Sequence, residues 1–128
     1  MADKSKSVLI VEDDLNLRDI LKTMCEKKGW VVFEAGDGKE GYEQAKANLP
    51  SIVLLDLLMP VLDGFGFLKL LRNSPDPDVA STPVVVLSNL YTNEDILRAE
   101  SLKIEAYFVK TNTTLEEVIK KSEEIVAK

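Results

Sequence analysis

The sequence predicts an α/β protein, a parallel sheet of five strands held between two layers of helices. Two observations lead there. Short apolar runs alternate five times with patterns of helical period, and those at 8–11, 52–55 and 84–87 are continuous in Val, Ile and Leu, as strands buried on both faces are. Strands that alternate with helices need right-handed crossovers, and these give a parallel sheet covered on both sides. The length of 128 residues, 45% hydrophobic and 30% charged, suits one globular domain with one core.

Residues 8–11 form the first run, closed by Glu12, Asp13 and Asp14. Leu17, Ile20, Leu21, Met24 and Cys25 then recur at helical spacing, with Asp14 or Asn16 as N-cap and Gly29 just past the end. Residues 30–35 give a second strand, and Gly36-Asp37-Gly38 turns the chain. Tyr42, Ala45 and Leu49 mark a second helix stopped by Pro50. Ile52–Leu55 repeats the first pattern, an apolar strand ending in an acid, Asp56. After Met59-Pro60 and the Asp63-Gly64 turn, Phe65, Leu68 and Leu71 give a third helix, and residues 74–78 read as a loose surface segment. Residues 84–87 form a fourth strand ending in Ser88, and Asn93 can cap a fourth helix carrying Ile96, Leu97, Ala99 and Leu102. Ala106–Val109 is a short fifth strand before Lys110. Thr114 and Glu117 have capping-box spacing ahead of Leu115, Val118, Ile119, Ser122, Ile125 and Val126, an amphipathic fifth helix.

Composition closes several classes of function. Lys and Arg number 16 against 22 Asp and Glu, a net charge of -6 that repels nucleic acid and anionic lipid, so neither is expected as a direct partner. No apolar run approaches the roughly 20 residues of a membrane helix. The opening MADKSKS is too short and polar for a signal peptide, and a cytoplasmic location is expected. One cysteine, Cys25, forms no internal disulfide, and without histidine there is nothing to build a zinc site or a His-based triad from.

In open parallel sheets ligands bind beyond the carboxyl ends of the strands. At those ends stand Glu12 and Asp13, then Asp56, then Ser88, then Lys110. Carboxylates about 4 Å apart repel by about 4 kcal/mol at an effective dielectric of 20, so a converging set needs a counter-charge. A hard divalent cation with oxygen ligands supplies it, and Mg2+ suits an open acidic cleft. With Mg2+ and Lys110 present, Asp56 becomes a nucleophile toward phosphorus and yields an aspartyl phosphate, whose oxygens Ser88 can hydrogen-bond.

These residues carry a resemblance. The chain resembles the receiver domains of bacterial two-component response regulators, the CheY-like family, over essentially its whole length. The matching motifs are Glu12-Asp13, Asp56-Leu57-Leu58-Met59-Pro60 with Asp63-Gly64, Ser88 and Lys110, five in order. The resemblance implies a flavodoxin-like (βα)5 sandwich with strand order 2-1-3-4-5. It implies that Asp56 accepts a phosphoryl group from a sensor histidine kinase or phosphotransfer protein, with Ser88 and Lys110 reading it. Glu12, Asp13, Asp56 and the Leu58 carbonyl would hold Mg2+. Tyr107 matches the aromatic position that changes exposure together with Ser88, and the face of the fourth helix, fifth strand and fifth helix is the implied partner surface. On this reading the chain is a single receiver domain over residues 1–128 with no output domain, stand-alone or cut from something longer. It is no enzyme beyond its own phosphorylation and dephosphorylation, and a monomer when unphosphorylated.

Three positions depart from the pattern. Thr111 replaces the usual proline after the lysine, so another path is expected for that loop. Leu58 and Leu90 are apolar where the family flanks the attacking water, which implies a long-lived phosphoryl group. Other readings stand beside these. Asp14 is simply a cap, Asp63-Gly64 a turn, and Cys25 and Trp30 core; Tyr107 is either a switch or an ordinary strand residue. A flavin module fails because Glu12, Asp13 and Asp14 occupy the loop where phosphate needs glycines and hydroxyls. A Mg2+-dependent phosphatase usually needs an acid where Leu58 stands. The remaining rival is a receiver-like interaction module that phosphate does not control.

Overall fold

The computed structural model describes residues 6–127, and the reading of MADKSKS lies largely outside the described residues. Five strands, β1 (Ser7–Val11), β2 (Val31–Ala35), β3 (Ile52–Leu55), β4 (Val84–Ser88) and β5 (Ala106–Val109), pair in parallel in the order β2-β1-β3-β4-β5. This is the order that the resemblance implies. The helices are α1 (Leu15–Lys27), α2 (Gly38–Asn48), α3 (Gly64–Arg72), a short α4 (Pro77–Ala80), α5 (Asn93–Glu100) and α6 (Leu115–Ala127).

Because successive strand residues point to opposite faces, the sheet divides its apolar side chains between two cores. Leu9, Val11, Val53, Leu55, Val84 and Val86 pack with Phe65, Phe67, Leu68 and Leu71 of α3, Ala45 of α2 and Ala99 of α5. Val8, Ile10, Ile52, Leu54, Val85 and Leu87 pack with Leu21 and Cys25 of α1, Trp30, and Val118 and Ile119 of α6. Full burial of one such side chain contributes about 1.5–3 kcal/mol, so β1, β3 and β4, buried at nearly every position, anchor the middle of the sheet. Their carboxyl ends therefore come out side by side on one edge.

The structure corrects several local expectations. Trp30 belongs to the core between α1 and α6, and β2 starts one residue later. Leu49 closes α2 in the left-handed region at φ 45° and is 48% exposed instead of facing the core. The cap of α5 is Thr92, whose hydroxyl accepts from Asp95 N, and not Asn93. Ile20 and Leu97 fall on exposed faces of their helices. The segment expected to be loose contains α4: Asp76 accepts from Asp78 N, Pro77 stands in the first turn where its missing N–H costs nothing, and Val79 is buried. After β5 the chain makes a 3-10 turn, Lys110–Asn112, and every peptide bond among the described residues is trans. The capping box of α6 forms in both directions, with Glu117 N donating to Thr114 Oγ1 at 3.2 Å and Thr114 N to Glu117 Oε1 at 3.0 Å.

Arg72, at the end of α3, ties down the amino-terminal edge of the sheet. Its guanidinium donates to the carbonyls of Leu102 (2.8 Å), Ala80 (2.9 Å), Thr82 (2.8 Å) and Lys103 (2.6 Å). Those oxygens belong to the segments that lead into β4 and β5, and Lys103 itself has φ 62°.

Candidate functional site

The Glu12, Asp13 and Asp56 side chains meet at the carboxyl ends of β1 and β3, where one carboxylate oxygen from each lies within 4.8 Å of the others. Glu12 and Asp56 are buried, at 3% and 5% exposure, and Asp13 opens to solvent. Strand alternation accounts for the division: adjacent residues at the tip of β1 turn one carboxylate inward and the next outward. Lys110 reaches across from the end of β5. Its Nζ lies 2.9 Å from Glu12 Oε1 and 3.2 Å from Asp56 Oδ2. Asp56 Oδ1 accepts from Leu58 N at 3.2 Å, and Glu12 Oε2 from Asp14 N at 3.1 Å.

One ammonium against three carboxylates leaves a surplus of negative charge in a largely buried place. Burial, helped by the like charge of Asp56 and opposed by the hydrogen bond from Lys110, pushes the Glu12 carboxyl up to about 7. For Lys110 burial pulls the other way, yet its hydrogen bond to Glu12 and the charge of Asp56 outweigh it and hold the ammonium above its ordinary value. The donors are hard oxygens, Asp13 leaves an open side, and the charge is under-neutralised, so the set fits a divalent cation.

Ser88 and Tyr107 sit next to this cluster along the edge. Ser88, fully buried at the end of β4, accepts from Leu90 N at 3.3 Å, which leaves its hydroxyl proton for another acceptor. Tyr107 donates to the Leu90 carbonyl at 2.7 Å, and burial followed by the charges of Asp95 and Asp56 pushes its phenol up to about 12, so it remains a donor. The loop from β4 to α5 is thus held at one residue, Leu90, from both sides.

A family model for the response regulator receiver domain matches residues 8–122. The chain belongs to that family. Among curated relatives, a probable transcriptional regulator ycf27 of Porphyridium aerugineum is 33% identical over 107 residues, 84% of this chain and 42% of the relative. A gliding motility regulatory protein of Myxococcus xanthus is 37% identical over 109 residues, 85% of this chain and 14% of that protein. The chain spans less than half the length of these relatives. In solved structures, the receiver domain of Francisella response regulator 1452 aligns with a TM-score of 0.85 at 28% identity, covering 96% of this chain and 98% of that one. A putative response regulator from Chloroflexus aurantiacus aligns at 0.86 and 25% identity, covering 98% of this chain and all (100%) of the other.

In this receiver domain all the sequence-derived site residues lie on one edge. Glu12, Asp13, Asp56 and Lys110 form one cluster; Leu58 is joined to it by its N–H, and Ser88 and Tyr107 are linked to each other through Leu90. The two leucines differ in burial. Leu58 is 52% exposed, whereas Leu90 packs half-buried against the α3 side of the core.

Sequence reading took Asp63-Gly64 as a turn only. Asp63 does cap α3, accepting from Gly66 N at 2.9 Å. Gly64, however, also presses on the chain just past β3: a Cβ there would lie 2.5 Å from the Asp56 carbonyl and 2.7 Å from Leu57 Cα. Arg18 was missed altogether. Its Nη1 donates to the Glu12 carbonyl at 3.0 Å, and the available signal was a cation on the first turns of the helix that follows the acids.

Among the described residues no helix is long and apolar enough to cross a membrane.

Proposed function

We propose that this receiver domain is a phosphoacceptor, with Asp56 taking the phosphoryl group of a histidine kinase or phosphotransfer protein. The observation that carries the reading is the bridge from Lys110 to both Glu12 and Asp56, within a carboxylate cluster that one lysine leaves under-neutralised. Glu12, Asp13, Asp56 and the Leu58 carbonyl would hold Mg2+, which when bound withdraws charge from phosphoryl oxygens.

The chain's own residues do the rest. A carboxylate oxygen of Asp56 attacks phosphorus; the new O–P bond forms as the P–N bond of the donor breaks, and the electron pair leaves on the imidazole nitrogen, which takes a proton from solvent. Lys110 is already within reach of the oxygen that changes, and its ammonium follows the new negative charge. The free Ser88 hydroxyl proton turns to a phosphoryl oxygen. Because Ser88 and Tyr107 both hold Leu90, that turn pulls on the loop before α5. The switched surface is the face of α5, β5 and α6, and the output is the binding of an effector protein there. The domain promotes only its own phosphorylation and dephosphorylation, and it works in the cytoplasm. Its negative charge disfavours nucleic acid as a direct partner.

The test is a mass measurement after incubation with acetyl phosphate or beryllofluoride, with and without Mg2+. A stoichiometric, Mg2+-dependent adduct is expected. No adduct under any condition would leave a receiver-like interaction module as the better reading.

A further inference from the structure

We infer that Arg18 is a positioning residue for the acidic site, fixing the Glu12–Asp13 backbone from α1 through an anchor on β2. The inference rests on the proposed cation site at Glu12, Asp13 and Asp56.

The tip of β1 is held at three points. Glu12 N donates to the Ala35 carbonyl at 3.0 Å, Asp14 N donates to Glu12 Oε2 at 3.1 Å, and the Glu12 carbonyl accepts from Arg18 Nη1 at 3.0 Å. The first two fix the start of the loop and the inward carboxylate. The third fixes the plane of the Glu12–Asp13 peptide, and with it the direction in which Asp13, the exposed member of the cluster, leaves the chain. Among the described residues no other hydrogen bond engages the Glu12 carbonyl or the Asp13 N–H.

Arg18 is itself anchored. Its Nε lies 3.2 Å from Glu34 Oε1 on β2, and Lys22, one turn further along α1, approaches the other oxygen of Glu34 at 3.4 Å. Gly36 makes the room: a Cβ at that position would lie 3.2 Å from Arg18 Nη1. The Arg18 side chain is only 19% exposed, so it is lodged between α1 and the end of β2 instead of waving in solvent. Arginine suits the task because its guanidinium donates to the carbonyl through Nη1 while its charge pairs with Glu34 beside Nε, which a lysine ammonium on a flexible stem does less well.

Partners that orient metal ligands typically carry tenfold or more in affinity. The experiment is therefore a Mg2+ titration followed by amide shifts at Asp13 and Leu57, with the thermal midpoint measured alongside. Arg18→Met should bind Mg2+ about tenfold more weakly, and Arg18→Lys should recover part of the loss with a midpoint close to wild type. Glu34→Gln, which keeps the guanidinium but loosens its anchor, should weaken binding about threefold, and it carries the test should Arg18→Met fail to fold. Wild-type affinity in Arg18→Met or in Glu34→Gln would overturn the positioning role. Absence of Mg2+ binding in the wild type would overturn the cation site itself and this inference with it.

Discussion

At the carboxyl edge of the sheet one ammonium, Lys110, is divided between Glu12 and Asp56 with Asp13 close by; at the amino edge one guanidinium, Arg72, meets four carbonyl oxygens. Burial works against both cations. Lys110 still ends above its ordinary value because its partners are charged, whereas Arg72 ends below its own, since carbonyls are neutral and Glu105 is the one carboxylate acting on it. The amino edge is saturated: each oxygen has its donor, and further charge has nothing to gain there. The carboxyl edge is left short of positive charge and can be completed from outside. Clefts of about 530 Å³ lie beside Arg72 and between α1 and α6, whereas the cleft that touches Glu12 and Asp56 has almost no free volume, so concavity alone points away from the acidic site.

The comparison breaks most completely with Asp56→Asn, which removes the nucleophilic charge at nearly constant shape and should abolish the adduct seen by mass spectrometry. An adduct of equal yield would move the acceptor elsewhere. Next in size, Arg72→Met should leave three part-buried carbonyls without their donors and cost about 3 kcal/mol in urea unfolding. The folded fraction should phosphorylate as wild type does; a specific loss of phosphorylation at full stability would mean that the two edges are not separate.

Glu12→Gln gives a pH-dependent effect, at most of the same size, in metal-free protein. The folded carboxyl, near 7, lies above the ordinary 4.5, so below 4.5 both states hold the proton and the stability it contributes is complete. As pH rises the unfolded chain releases the proton first, and that stability is lost up to the folded value. Relative to Glu12→Gln, the wild type should lose up to about 3 kcal/mol between about pH 5 and pH 7.5, measured by urea unfolding with a chelator present. Parallel curves would show that Lys110 neutralises Glu12 fully. The smallest effect is expected at Leu90. A Gln there could hold water near the phosphoryl group, and decay after donor removal should quicken by about two- to fivefold. The change is modest because Leu90 packs against the core. An unchanged or slower rate would turn attention to exposed Leu58.

Sequence by itself determined the alternation, the five strands, the two-faced burial and the acids at the tips of β1 and β3. These follow from local pattern: a strand buried on both sides must be apolar throughout, and a carboxylate breaks the run where water begins. The capping box at Thr114 and Glu117 was legible for the same reason, since its partners are three residues apart. The strand order did not follow from alternation and came with the family resemblance. Tertiary structure alone decided how the tips meet: that Lys110 meets Asp56 across 54 residues of chain and Glu12 across still more, that Gly64 must lack a side chain to pass the Asp56 backbone, and that Arg18 holds the Glu12 carbonyl. It also left Leu58 exposed while Leu90 packs partly on the core, and raised a helix out of Asp76 and Pro77 because Val79 found a core to enter. Such outcomes depend on which surfaces the sheet brings together, and a linear pattern carries the period of a segment but not the identity of its neighbours.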